Sequence, residues 1–168
     1  KQKTAYEIYQ CDWSSDVCSS DLVRFKEGGE EYKDSEKYEI KVRDWAGAER
    51  LGMTLSPFIS QLNQIRKKNS ALQKLRNLEF HASDSPAIIA YSKRDGDNLI
   101  LVTINLDPSR VQESMIHWNM YALGIPEGGF KVTDLLTGEV MDWSDHTFVR
   151  LDPARPHGKV GHIVKVSL

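Results

Sequence analysis

Eleven residues, Glu30 to Ile40, carry seven charged side chains, two tyrosines and one aliphatic residue. Such a segment is no core element. Its irregular mixture of acids, bases and phenols suits a specific surface loop. One chemistry open to Glu30, Glu31, Asp34 and Glu36 is paired-carboxylate catalysis. Glycoside cleavage needs two carboxyl groups about 5 to 10 Å apart on opposite sides of a bound sugar, which crowding on a single loop does not provide. The same carboxylates, with Lys33 and Lys37, are better suited to hydrogen-bonding hydroxyl groups, and Tyr32 and Tyr38 add stacking faces. Polar groups beside an aromatic platform are what sugar binding requires. On residue types alone, a charged and merely solvated loop remains the competing reading.

Other catalytic patterns are weak. The five histidines, His81, His117, His146, His157 and His162, show neither an i, i+4 pair nor an HExxH arrangement, so the sequence predicts no metal site. His81 and His117 alternate with apolar neighbours and read as hydrogen-bonded sheet residues. No GxSxG, GxxxxGK[ST] or GxGxxG run occurs, Gly28-Gly29 reads as a turn, and no cofactor is expected. Both cysteines, Cys11 and Cys18, fall within residues 1–22. A disulfide or metal site between them would need further ligands at fixed spacing.

That opening segment does not match the rest of the chain. Ser14-Ser15-Asp16-Val17 is nearly repeated as Ser19-Ser20-Asp21-Leu22, with no helical or strand period around it. Residues 1–22 resemble translated sequencing-adapter DNA, the alternative being a disordered N-terminal arm. They are set aside from fold and function reasoning.

The whole chain has 168 residues, a formal charge of -2 and 40% hydrophobic residues, which suits one ordinary domain. The charge balance leaves no footprint for nucleic acid or an acidic membrane surface. With no apolar run of membrane-spanning length and no basic-then-apolar start, a soluble cytoplasmic protein is the expectation.

The elements that must position these side chains are a helix and then strands. Ser56 and Pro57 predict an N-cap and first-turn proline, and Phe58, Ile59, Leu62 and Ile65 follow at helical spacing to about Lys68. Arg66, Lys67 and Lys68 suit the negative helix end, and Asn69-Ser70 a stop. After Leu72 the period becomes 2. Strands are predicted over Leu78–Ala82, Ala87–Lys93, Leu99–Asn105, Ser114–Asn119, Phe130–Asp134, Val140–Trp143, Phe148–Leu151 and Val160–Val166, separated by Gly, Pro, Asn and Asp turns. In the third strand, Ile100, Val102 and Ile104 face one way and Leu99, Leu101 and Thr103 the other, which predicts a central strand covered on both sides. The fold class expected is therefore mainly β, an antiparallel sandwich or Greek-key sheet. One lone helix ahead of an all-β module is an unbalanced plan. The simplest reading makes it the last element of an upstream domain; an α+β domain with the helix on the sheet is the alternative.

Several strings together resemble one family. Glu30-Glu31-Tyr32, Asp34-Ser35-Glu36-Lys37-Tyr38-Glu39-Ile40, Arg43-Asp44-Trp45, the helix Gln61-Leu62-Asn63-Gln64-Ile65-Arg66, Tyr91-Ser92-Lys93-Arg94, Asp134-Leu135-Leu136-Thr137-Gly138-Glu139 and Val149-Arg150-Leu151-Asp152-Pro153 are similar to the α-1,4-glucan:maltose-1-phosphate maltosyltransferases of the α-amylase superfamily, glycoside hydrolase family 13. The resemblance runs over nearly all of Val23 to Val166. Lys33, where an aliphatic residue is expected, and Ala82-Ser83, where a more aromatic pattern is expected, depart from it.

The resemblance implies a parent enzyme with a (β/α)8 barrel and a C-terminal β-sandwich. That enzyme moves maltosyl from maltose 1-phosphate to an α-1,4-glucan with retention, as a homodimer. Residues 23–70 would be the barrel's last loop and helix, on the face where barrels carry their active sites, and residues 71–168 the sandwich. Glu36, Lys37 and Tyr38 match the wall that holds the donor maltosyl unit. The catalytic carboxylates would lie upstream, so no residue of this chain is assigned a catalytic role. A stand-alone carbohydrate-binding or structural β-module is the alternative.

Overall fold

The computed structural model describes Gly28 and residues 44–52, 54–154 and 159–167. It divides into two compact units, residues 1–61 and 62–168, with the division falling inside one helix.

A helix α1, Trp45–Arg50, which the sequence analysis does not predict, lies in the first unit. The Asp44 carboxylate caps it by accepting from the Gly47 N–H at 2.8 Å. The helix α2, Ser56–Lys68, has the bounds expected from its apolar spacing. Its start differs in one detail. Ser56 is already helical: the Leu55 carbonyl accepts from the Ile59 N–H at 2.9 Å, and the Thr54 hydroxyl accepts from the Ser56 N–H at 3.1 Å. Of the apolar stripe, Phe58 and Ile59 are 42% and 39% exposed, whereas Ile65 is buried. The Asn69 side chain then donates to the Ile65 carbonyl at 2.8 Å, ending the helix where Asn69-Ser70 predicts a stop.

The second unit continues with a 3-10 turn, Ser70–Gln73, and eight strands: β1 Leu78–Ser83, β2 Ile88–Asp95, β3 Asn98–Asn105, β4 Gln112–His117, β5 Phe130–Asp134, β6 Val140–Trp143, β7 His146–Leu151 and β8 Gly161–Val166. A four-residue helix α3, Met120–Leu123, follows β4. Every pairing is antiparallel, in the order β6-β5-β8-β3-β2-β1-β4-β7. The pairings fall into two sheets that share β1, which bends from one to the other, so the strands fold over as a sandwich.

The strand β3 sits between β2 and β8 and is buried on both faces, as its two-sided apolar pattern predicts. Leu99 and Leu101 point into the main core with Ile116, Val132, Leu151 and Val164. Ile100 and Val102 point the other way, under Ala71 and Leu72 of the 3-10 turn and beside Tyr91 and Ile163. Each fully buried aliphatic side chain contributes about 1.5 to 3 kcal/mol. The two strands at the ends of the order, β6 and β7, follow each other in sequence and are joined by Ser144-Asp145. This places the two open sheet edges side by side at one corner.

Candidate functional site

The residues matched to the donor-sugar wall, Glu36, Lys37 and Tyr38, lie outside the described residues, as do Cys11 and Cys18. The described chemistry centres on a line of rings through the sandwich and on the groove at its open corner.

The ring line begins at His81 of β1. Its Nδ1 accepts from the Asn119 N–H at 3.1 Å, so the proton of the neutral ring sits on Nε2, which donates to Ser92 Oγ at 2.8 Å. Burial pushes the His81 pKa below its ordinary value, against an opposing pull from Glu79. A ring held neutral by two neutral partners is a structural histidine, in agreement with the sheet-residue reading. Trp118 packs edge-on to His81 at 4.9 Å between centroids and stacks on Trp143 at 5.8 Å with planes 17° apart. Trp143 meets His162 edge-on at 6.0 Å. At the far end His162 Nδ1 donates to Asp134 Oδ2 at 2.8 Å, both side chains being buried.

Asp134 belongs to the Asp134 to Glu139 string that carries the family resemblance, and its work is local. Its other carboxylate oxygen accepts from the Leu136 N–H at 2.9 Å, and its carbonyl from the Gly138 N–H at 2.7 Å. Gly138 has φ +80°, a backbone conformation open to glycine, which lets the chain turn back into β6. Burial raises the Asp134 pKa, but the His162 and Leu136 hydrogen bonds and the charges of His162 and Lys159 outweigh it and leave the carboxyl below its ordinary range.

At the corner, β6 and β7 flank a groove of about 570 Å³ lined by Met141, Asp142, Trp143, His146, Thr147 and Phe148, with Gly129 and Ser144 completing it. Trp143 is buried against Trp118, whereas Phe148 is 59% exposed. The connecting turn is held by Thr147 Oγ1, which donates to the Ser144 carbonyl at 2.8 Å, and by Ser144 Oγ, which donates to the His146 carbonyl at 2.8 Å. On the outer face of β4 and β7 three cross-strand pairs stand in a row: Glu113 with Arg150, Met115 with Phe148, and His117 with His146. Arg150 bonds Glu113 at 2.8 Å, and the two imidazoles meet edge-on at 4.9 Å. His117 Nε2 bonds Asp84 at 2.7 Å and His146 Nδ1 bonds Asp145 at 2.8 Å. The His146 hydrogen bond, against some desolvation, holds the Asp145 carboxyl below its ordinary range.

This corner is not legible in the sequence, because the register that sets Met115 beside Phe148 and His117 beside His146 comes only from strand pairing. Among the described residues, no group of three or more His, Cys, Asp or Glu side chains is arranged to hold a metal ion, and no helix is long and apolar enough to cross a membrane.

Comparison with known proteins adds identity to this geometry. The crystal structure of a maltogenic α-amylase from Thermotoga neapolitana superposes with a TM-score of 0.52 at 16% identity, covering 68% of this chain and 26% of that one, a likeness of fold. The α-1,4-glucan:maltose-1-phosphate maltosyltransferase 2 of Streptomyces coelicolor is 45% identical over 153 residues, 90% of this chain and 23% of its own length. The corresponding maltosyltransferase of Corynebacterium glutamicum is 48% identical over 141 residues, 82% of this chain and 20% of its own length. The chain thus spans about a fifth of the curated relatives it matches. A family model described as "GLGE, C-terminal" matches residues 80–166, from within β1 to the end of β8, and the chain belongs to that family.

Proposed function

We propose that this chain is the C-terminal part of a retaining maltosyltransferase that transfers maltosyl from maltose 1-phosphate to an α-1,4-glucan. The observation that carries the reading is the 45% identity over 90% of the chain to an enzyme named for that reaction. The match extends well upstream of the sandwich, which a likeness of β-module alone would not require.

In this reading residues 23–70 are the last loop and helix of the catalytic barrel and residues 71–168 the sandwich, with residues 1–22 outside both. Glu36, Lys37 and Tyr38 hold the donor maltosyl unit. A carboxylate accepts from sugar hydroxyls, an ammonium donates to hydroxyl or ring oxygens, and a phenol ring covers an apolar sugar face. None of the three breaks the glycosidic bond. The nucleophile and the acid/base carboxylate belong to the part of the enzyme that this chain does not span, and the parent is a cytoplasmic bacterial homodimer that needs no cofactor.

Two measurements test this. The reading frame upstream of Val23 is expected to encode an amylase-type barrel with its aspartate and glutamate; a start codon close to Val23 would instead support a stand-alone carbohydrate-binding or structural module. Purified chain mixed with maltose 1-phosphate and glycogen is expected to release no phosphate. Turnover by the chain alone would overturn the assignment of catalysis to the missing part.

A further inference from the structure

We propose that His117 and His146, directly opposite each other on the outer face of β4 and β7, form a two-imidazole site for a nitrogen-preferring divalent cation of the copper, nickel or zinc class. The ion clips the end strand β7 to β4. It takes no part in sugar chemistry, so the site stands apart from the proposed function.

The tautomers supply the ligands. An ionised carboxylate only accepts, so the Asp84 bond at 2.7 Å places the proton of neutral His117 on Nε2, and the Asp145 bond at 2.8 Å places that of His146 on Nδ1. A lone pair is left on His117 Nδ1 and another on His146 Nε2, and neither atom has a hydrogen-bond partner among the described residues. A carboxylate on the far ring nitrogen is the usual support of a metal-bound histidine, because it fixes the tautomer and raises the basicity of the ligating nitrogen. Both histidines have one.

These carboxylates are themselves held in place. The Asp84 N–H donates to the Met115 carbonyl at 3.1 Å, while Asp145 Oδ1 accepts from the His146 N–H at 3.0 Å and the Asp145 carbonyl from the Trp118 N–H at 2.7 Å. Neither carboxylate has a lysine or arginine partner among the described residues, so their charge favours a dication beside the rings.

The spacing fits a single ion. A zinc–nitrogen bond of about 2.0 to 2.1 Å puts each ring centre roughly 3.2 Å from the metal. At angles between square and tetrahedral, the two centres then lie about 4.5 to 5.2 Å apart. The observed separation is 4.9 Å, so no strand has to move.

Solvent reaches the pair, the two side chains being 37% and 60% exposed. Water fills the remaining positions on the ion. Asp84 and Asp145 stand behind the rings rather than on the metal, in keeping with the absence of a three-ligand group among the described residues. Two imidazoles select against magnesium and calcium, which take oxygen ligands.

The test titrates zinc into the full 168-residue chain, untagged and with Cys11 and Cys18 alkylated, by calorimetry, and records the electron paramagnetic resonance spectrum of the copper(II) form. One zinc per chain is expected, with no heat from magnesium, a copper spectrum coupled to two nitrogens, and a melting temperature that rises with zinc because only the folded chain brings the rings together. His117→Gln and His146→Gln, each checked by its metal-free melting curve, are expected to weaken zinc binding about tenfold or more. The double variant is expected to bind no more weakly than either single one, since a chelate is lost with its first arm. No zinc binding by wild-type chain, wild-type affinity in either single variant, copper coupled to one nitrogen, or single variants that halve the stoichiometry without changing the affinity would each overturn the site.

Discussion

Asp134 on β5 and His162 on β8 are joined by a 2.8 Å hydrogen bond in the interior, and the same carboxylate holds the turn between β5 and β6 through Leu136. One side chain therefore fixes a local turn and a contact between strands far apart in sequence. A string that carries the resemblance to a sugar-transferring family is here explained by folding: Asp134 is 1% exposed and its oxygens are occupied by the protein itself.

Asp134→Asn keeps the shape and removes the charge. Weakening a buried hydrogen bond to a charged carboxylate costs about 1.5 to 3 kcal/mol, so the melting temperature is expected to fall by roughly 5 to 10 °C. The sign of the pH effect follows from the lowered pKa. Stability from this carboxylate is fully present above the unfolded aspartate value, about 3.9, and is lost as pH falls through the lower folded value. Thermal melts from pH 7 to pH 3 are expected to show an acid limb in the wild type that is shallower in Asp134→Asn.

His81 carries a separate pH dependence at milder acidity. Its folded pKa is lowered by burial from 6.5, so the unfolded chain binds the extra proton first. The stability it contributes is present above 6.5 and declines as pH falls from there toward the folded value. Protonation of Nδ1 would also end its acceptance of the Asn119 N–H. A His81→Gln variant is expected to be less stable at pH 8 and to lose the wild type's decline between about pH 6.5 and 5; an unaltered decline would show that another group causes it.

Gly161 faces Ile104 where β8 starts against β3, and a Cβ added there would lie 2.5 Å from the Thr103 carbonyl oxygen. Backbone cannot move aside cheaply within a paired sheet. Gly161→Ala is expected to cost about 1 to 3 kcal/mol, read as a lower urea midpoint with an unchanged slope.

Much of the sandwich is legible in the sequence. Turn residues between period-2 runs gave eight strands in the right places, because Gly96, Gly128 and Gly138 hold positive φ where the chain reverses. The limits were set by side chains that cap. β4 ends at His117 rather than Asn119, since the Asn119 side chain accepts from the Ala122 N–H to start α3, and Gly124 at φ +64° closes it. Four helical residues are too few to show a period, and α1 with six is little better; in each case only the capping Asn or Asp was readable. The ring line from His81 to His162 was not legible, because its members come from β1, β6, β8 and the residue after β4, brought together only by tertiary pairing.

In the proposed function this chain completes a maltosyltransferase and supplies part of its donor site. The most direct measurement joins residues 23–168 to the catalytic region of the Streptomyces coelicolor relative and follows phosphate release from maltose 1-phosphate with glycogen as acceptor. The account predicts turnover by this chimera, and a rise of tenfold or more in the maltose 1-phosphate KM when Tyr38 is replaced by Ala, with a smaller change in kcat, since a group that only holds the donor contributes uniform binding. A folded chimera without turnover, or one whose donor KM is the same with and without the Tyr38, Lys37 and Glu36 side chains, would contradict it.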